Sequence, residues 1–215
     1  MFTADIYSAR RAELRRRIGK GLILLPGNVE SPFNYPNNTF HFRQDSTFLY
    51  FFGSDYAGLA AVIDIDEDRE IIFGNELTID DIVWMGTQPT ISEKSERVGI
   101  RETLPMGELK SYLERAAAKG QTIHYLPPYR GDHNLGLQEL LGLAPAEIAA
   151  KSSVPFIRAV VDQRNYKSAE EIAQIEEAVN VSVDMHCAAM RAVRPGTTEA
   201  QIVSIVHAEA AKHNF

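Results

Sequence analysis

Cysteine is almost missing from this chain. Its 215 residues hold one, Cys187, so no disulfide can form within the chain, and a reducing compartment is expected. Long apolar runs are missing as well. The N-terminus, MFTADIYSARRAELRRRI, scatters charge where a signal peptide would carry an unbroken apolar core. No stretch approaches the about 20 apolar residues of a membrane span. A cytoplasmic protein with no membrane partner is the expectation. Cations are in deficit, 22 Lys and Arg against 29 Asp and Glu, and the net charge of −7 argues against nucleic acid as a partner. Arg10, Arg11, Arg15, Arg16, Arg17 and Lys20 crowd one stretch against this trend. They read as a solvated face at the end of a helix, where cations suit the negative pole of the dipole.

Recognisable catalytic patterns are also lacking. The histidines, at 41, 124, 133, 186, 207 and 213, form no HExxH, and His207 and His213 are spaced too far apart to share a helical face well. Asp64, Asp66 and Asp68 resemble the start of a calcium loop, but Arg69 stands where that loop needs glycine, so a hairpin tip is the better reading. There is no nucleophile elbow, no phosphate-cradling P-loop and no dinucleotide fingerprint. Cys187 lies mid-helix without an evident partner and reads as a small hydrophobe. The expectation is therefore no catalytic residue, no metal ligand and no cofactor within these residues.

What is present is a folding chain, 45% hydrophobic and 24% charged. An amphipathic helix is predicted over 4–17, followed by a buried strand over 21–26 that Pro26-Gly27 ends. Aromatic and β-branched residues over 46–52 predict a strand. Residues 58–64 and 69–73 predict a hairpin. A helix over 106–119, a strand over 121–126 and a shorter helix over 135–141 complete one layered α/β domain of residues 1–160. Residues 161–215 change character. From Ser168 to Val193 there is no glycine or proline, and Ile172, Ile175, Val179, Val183, Met190 and Val193 fall on one helical stripe. Ser168 with Glu171, and Thr198 with Gln201, open two amphipathic helices as capping boxes. An apolar stripe of that size favours self-association if left uncovered.

Two stretches carry a resemblance. Phe42-Arg-Gln-Asp-Ser-Thr-Phe-Leu-Tyr-Phe-Phe-Gly53 resembles the R-Q-[ND]-S-x-F-x-Y-x-x-G signature in the N-terminal domain of aminopeptidase P, prolidase and creatinase. Arg164-Asn-Tyr-Lys-Ser168, Glu171-Ile172, Ala178, His186, Met190 and Arg194-Pro-Gly-Thr-Thr-Glu199 resemble the junction into the catalytic domain of those enzymes. The resemblance implies a creatinase-type α/β domain with a mixed sheet and flanking helices, then the first helices of a pita-bread catalytic domain truncated at Phe215. It further implies a parent enzyme that removes the N-terminal residue from Xaa-Pro peptides with two divalent metals, usually manganese, whose ligands lie beyond this chain. These residues would then supply homo-oligomer contacts and walls that restrict the substrate. A prolidase, or a non-catalytic peptide-binding module of the same fold, stays open as an alternative.

The matched residues also have plainer roles. Arg43, Gln44, Asp45 and Ser46 are expected to order a polar turn before a core strand through side-chain to backbone hydrogen bonds. Tyr50 and Phe52 are expected in the core, and His186 as a core or interface histidine. Lys167, Ser168 and Glu171 are explained by helix initiation, and Arg164 by a contact at the domain junction. Trp84, the only tryptophan, lies in Ile82-Val-Trp-Met-Gly86, which is similar to a segment that in aminopeptidase P reaches the active-site mouth of a neighbouring subunit. That resemblance implies a substrate-binding role in trans for Trp84, since a proline ring stacks well on indole.

Overall fold

The computed structural model describes residues 2–214, which divide into two compact units, one ending at Arg164 and one starting at Asn165. In chain order the first unit holds α1 (Ala4–Ile18), β1 (Leu22–Pro26), β2 (Pro32–Tyr35), β3 (Asn38–Thr39), α2 (Ser46–Phe52), β4 (Ala60–Asp64) and β5 (Arg69–Phe73). It continues with α3 (Ile79–Met85), α4 (Ile91–Glu96), β6 (Glu102–Leu104), a 3-10 turn leading into α5 (Leu109–Ala118), β7 (Ile123–His124), α6 (Gly131–Leu141), α7 (Pro145–Ala150) and α8 (Val154–Asn165). The second unit is α9 (Ala169–Ala192) packed against α10 (Glu199–Ala211).

Five strands form one mixed sheet in the order β6-β5-β4-β1-β7, while β2 and β3 make a separate ribbon. β4 runs antiparallel to both neighbours, β1 pairs with β7 in parallel, and β5 pairs with β6 in parallel. Because strand side chains alternate between faces, each strand feeds two cores. Ile23, Leu25, Ala61, Ile63 and Ile72 join the aromatic residues of α2 and Phe156 of α8 on one face. Leu22, Leu24, Val62, Ile71 and Phe73 join Leu113 of α5 and Leu137 of α6 on the other. The Asp64–Asp68 stretch is the tip of the β4–β5 hairpin, as its residue pattern predicts.

Two expectations are overturned. Residues 46–52 form a helix, not a strand. Asp45 caps it, its Oδ1 accepting from the backbone N–H of Thr47 and Phe48 at 2.8 Å each, and Gly53 ends it in the left-handed conformation at φ 58°. Seven residues rich in aromatics, between a strong N-cap and a C-terminal glycine, form two turns of helix despite their β propensity. The basic end of α1 is also not uniformly solvated. Arg11 is fully buried, and Arg10 nearly so, with its guanidinium 4.1 Å above the Tyr50 ring. Arg15, Arg16 and Arg17 do remain nearer solvent, paired with Asp68 and Glu13.

His124 ties β7 to its surroundings. Its Nε2 lies 3.2 Å from the Lys20 carbonyl, which can only accept, so that nitrogen carries the proton. Nδ1 then accepts from the Ser153 hydroxyl at 2.7 Å, and Ser153 Oγ in turn accepts from the Phe156 N–H at the start of α8. Burial holds the imidazole pKa below its ordinary value, against the opposing pull of the Lys20 carbonyl and Asp66. The folded chain therefore resists protonation more than the unfolded chain does. The stability this confers is complete above the unfolded pKa of about 6.5 and falls away as the pH drops below it. Urea melts from about pH 7 down to about pH 5 should show a shallower loss for His124→Gln than for the parent.

Candidate functional site

The stretch from Gly74 to Thr90 leaves the sheet after β5 and returns at α4. Thr78 opens α3 with a capping box: its hydroxyl accepts from the Asp81 N–H at 3.2 Å, while the Asp81 carboxylate accepts from the Thr78 N–H at 2.8 Å. The Thr78 hydroxyl, 2.7 Å from Asp81 Oδ2, and the Thr78 N–H together hold the Asp81 carboxyl below the usual carboxylate range. Gly86, at φ 75°, ends the helix in a conformation that favours glycine.

Between these caps, no residue of α3 is buried. Trp84 is 87% exposed, Ile79 81% and Val83 75%, and Met85 and Ile82 are also exposed. Five large apolar side chains on seven residues facing water is the inverse of what a surface helix does, and such patches mark places where something docks. The acids of the arm are Glu76, Asp80 and Asp81, and it has no cation, since the chain holds no Lys or Arg between Arg69 and Lys94. Asp80 and Trp84 are four apart on the helix and so share one face.

The other residues singled out from the sequence lie elsewhere and have structural work. Gln44 is buried: its Oε1 accepts from the Asn28 N–H at 2.6 Å and its Nε2 donates to the Tyr56 carbonyl at 2.7 Å, clamping the loop after β1 to the loop after α2. Arg43 donates to the Ser46 hydroxyl. Phe52 is in the core and Tyr50 packs against it. Arg164 donates to the Thr47 hydroxyl within the first unit. Ser168 and Glu171 form the capping box of α9. His186 is exposed on α9 and not part of a core; a stripe of apolar residues on an exposed helix carries neighbours such as this one outward with it. Ile79 was missed by sequence reasoning, and Val83 and Met85 were named only as the flanks of Trp84. The Thr78-x-x-Asp81 spacing with Gly86 behind it is the signal that finds their helix.

Among the described residues, no three His, Cys, Asp or Glu side chains gather in a way that could hold a metal ion. These residues offer no seat for the pair of divalent ions that the resemblance implies, and no chemical step is assigned to them. No described helix is long and apolar enough to cross a membrane.

Comparison with known proteins places the fold. Residues 7–124 match the family described as the aminopeptidase P N-terminal domain. A "Probable Xaa-Pro aminopeptidase" of Metarhizium acridum is 26% identical over 203 residues, taking in 93% of this chain and 38% of that protein. The Xaa-Pro aminopeptidase of Escherichia coli K12 is 23% identical over 222 residues, taking in 95% of this chain and 50% of its own length. The chain thus spans half or less of these relatives. Among solved structures, the low-pH form of Escherichia coli aminopeptidase P superposes with a TM-score of 0.80 at 22% identity, covering 99% of this chain and 50% of that one. The zinc-substituted enzyme in complex with product gives 0.78 at 21%, with the same coverage. At such identity the structural likeness speaks for the fold, and the five-stranded mixed sheet with flanking and C-terminal helices is the N-terminal half of that architecture. With more than half of its residues matched by the family and its fold in agreement, the chain belongs to the aminopeptidase P N-terminal domain family.

Proposed function

We propose that this chain serves as the N-terminal part of a metallo-aminopeptidase that removes the first residue from peptides with proline second, and that α3 is the arm by which it acts. The observation that carries this reading is the exposure of Trp84 on a capped helix with no buried residue of its own. A helix so built gains little from its own body, so its apolar side chains are stabilised by what they meet outside it. In an oligomer the arm of one copy would wall the substrate cleft of the next, with Trp84 as the plate on which a prolyl ring packs. The exposed stripe of α9, from Ile172 to Val193, would contribute apolar contacts of the same kind. The hydrolysis itself would be supplied by divalent metal ions held in a catalytic half. These residues position and restrict.

A chimera tests the proposal: this chain replaces the corresponding half of the Escherichia coli Xaa-Pro aminopeptidase. It should hydrolyse Xaa-Pro peptides, and Trp84→Ala should lower kcat/KM by about tenfold, mainly through KM, as expected for an aromatic hot spot worth about 1.4 kcal/mol. A folded, metal-loaded chimera that leaves such peptides intact would count against the enzyme reading. Equal kcat/KM with and without Trp84 would count against the arm.

A further inference from the structure

β1 and β7 are parallel neighbours, with Leu22 opposite Ile123 and Ile23 opposite His124. Beyond its carboxyl end, β1 is followed by the β2–β3 ribbon and then α2, which packs on one face of the sheet with Ile23 and Leu25. Beyond its own carboxyl end, β7 leads to α6, whose Leu137 packs on the other face with Leu22 and Leu24. Neighbouring parallel strands that send the chain to opposite faces leave a crevice outside their carboxyl ends, the position where open α/β sheets bind ligands. A cleft of about 110 Å³ occupies that position.

Its size and lining select a ligand class. A cavity of about 150 Å³ accepts a benzene ring, so this one has room for a ring of about five atoms. Leu24, Leu25, Leu126 and Leu137 give it apolar walls. Its polar side chains are Asp45, Thr47, Tyr129 and His133, and neither Lys nor Arg lines it. Asp45 Oδ2 accepts from the Tyr129 hydroxyl at 3.0 Å and has a lone pair to spare. His133 Nε2 lies 3.0 Å from the Gly27 carbonyl, so it carries the proton and leaves Nδ1 as an acceptor. The cleft thus joins a carboxylate and an imidazole lone pair to an apolar wall, with no cation to hold an anion.

We propose that this cleft binds a small apolar ammonium, a compact amine whose N–H groups are taken by Asp45 and His133 while its carbon skeleton lies against the leucines. The proposal stands apart from the peptidase reading, because every residue it uses lies in the first unit and none belongs to the α3 arm.

Pyrrolidinium chloride is the probe, with cyclopentanol and cyclopentanecarboxylate as neutral and anionic counterparts, followed by amide chemical shifts of the full chain. Pyrrolidinium should shift the amides around Asp45, Tyr129 and His133 saturably at concentrations up to about 50 mM, and the carboxylate should not. Asp45→Asn keeps the N-cap of α2, since asparagine caps as well as aspartate, and should weaken binding by about tenfold or more. Leu137→Phe fills the cleft from the α6 wall with Asp45 untouched, and should abolish binding. Cyclopentanol binding as well as pyrrolidinium would reduce the cleft to an apolar void and overturn the proposal. So would the absence of any saturable shift, or undiminished binding in a folded Leu137→Phe variant.

Discussion

Replacing Arg11 by methionine should lower the unfolding free energy by about 3–5 kcal/mol, the range for breaking a buried charge pair by removing one partner. Arg11 has no solvent exposure. Its Nε donates to Glu70 Oε2 at 2.7 Å, and its terminal nitrogens donate to the carbonyls of Phe51 and Val98 at 3.0 Å each. One guanidinium therefore joins α1 to β5, to the end of α2 and to the turn after α4. Methionine fills much of the volume but offers no donor. Two carbonyls are then left short of partners in a dry setting, where each unmet group costs about 1–3 kcal/mol, while Glu70, 19% exposed, keeps Arg15 at 3.7 Å. The comparison that isolates this effect is Arg11→Met against Arg11→Met with Glu70→Leu. Urea denaturation should show the double variant recovering part of the loss, because it also removes the carboxylate. Equal midpoints for wild type and Arg11→Met would mean that the buried pair contributes nothing net.

Gly53→Ala should be destabilising by about 2–6 kcal/mol, combining backbone strain with overpacking. Gly53 ends α2 at φ 58°, a region that L side chains rarely adopt. A Cβ there would collide with the ring of Tyr7, and Tyr7 is itself buried, with its hydroxyl accepting from the Phe2 N–H at 3.1 Å. The ring has no free space to move into, so α1 must shift relative to α2. Tyr7→Leu in the Gly53→Ala background separates the two costs. It removes the collision and leaves only the backbone term, and thermal melts should show partial recovery. A Gly53→Ala chain as stable as wild type would show that the packing around Tyr7 is far looser than its burial implies.

These residues also show what the sequence made legible. The starts of α9 and α10 are marked by capping boxes, and α1 ends at Gly19, so these long helices are announced by their flanks. The β4–β5 hairpin is equally plain from its alternation and its acidic tip. α2 is not, because five of its seven residues are β-branched or aromatic, and the decision lies in the flanks, Asp45 and Gly53. α3, α4 and α7 span six or seven residues, too few for periodicity to register. Arg10 and Arg11 stand in the same basic run as Arg15, Arg16 and Arg17, which lie nearer water, and only the elements packed against the first two make them buried. Trp84 was visible as an isolated aromatic, but its setting on an exposed capped helix was not. The β1–β7 cleft was invisible for a different reason: its lining comes from three segments that lie far apart in the chain and meet only after the sheet forms.

The strand order has a consequence for how copies of this chain can meet. The three five-residue strands β1, β4 and β5 occupy the middle of the sheet, and its two borders are β6, with three residues, and β7, with two. An unpaired strand edge is a template on which another chain can add a strand, and its hazard grows with its length. Here the segments with the strongest β character are paired on both sides, and the borders are too short to register a foreign strand. Edge-to-edge growth of the five-stranded sheet is thereby blunted.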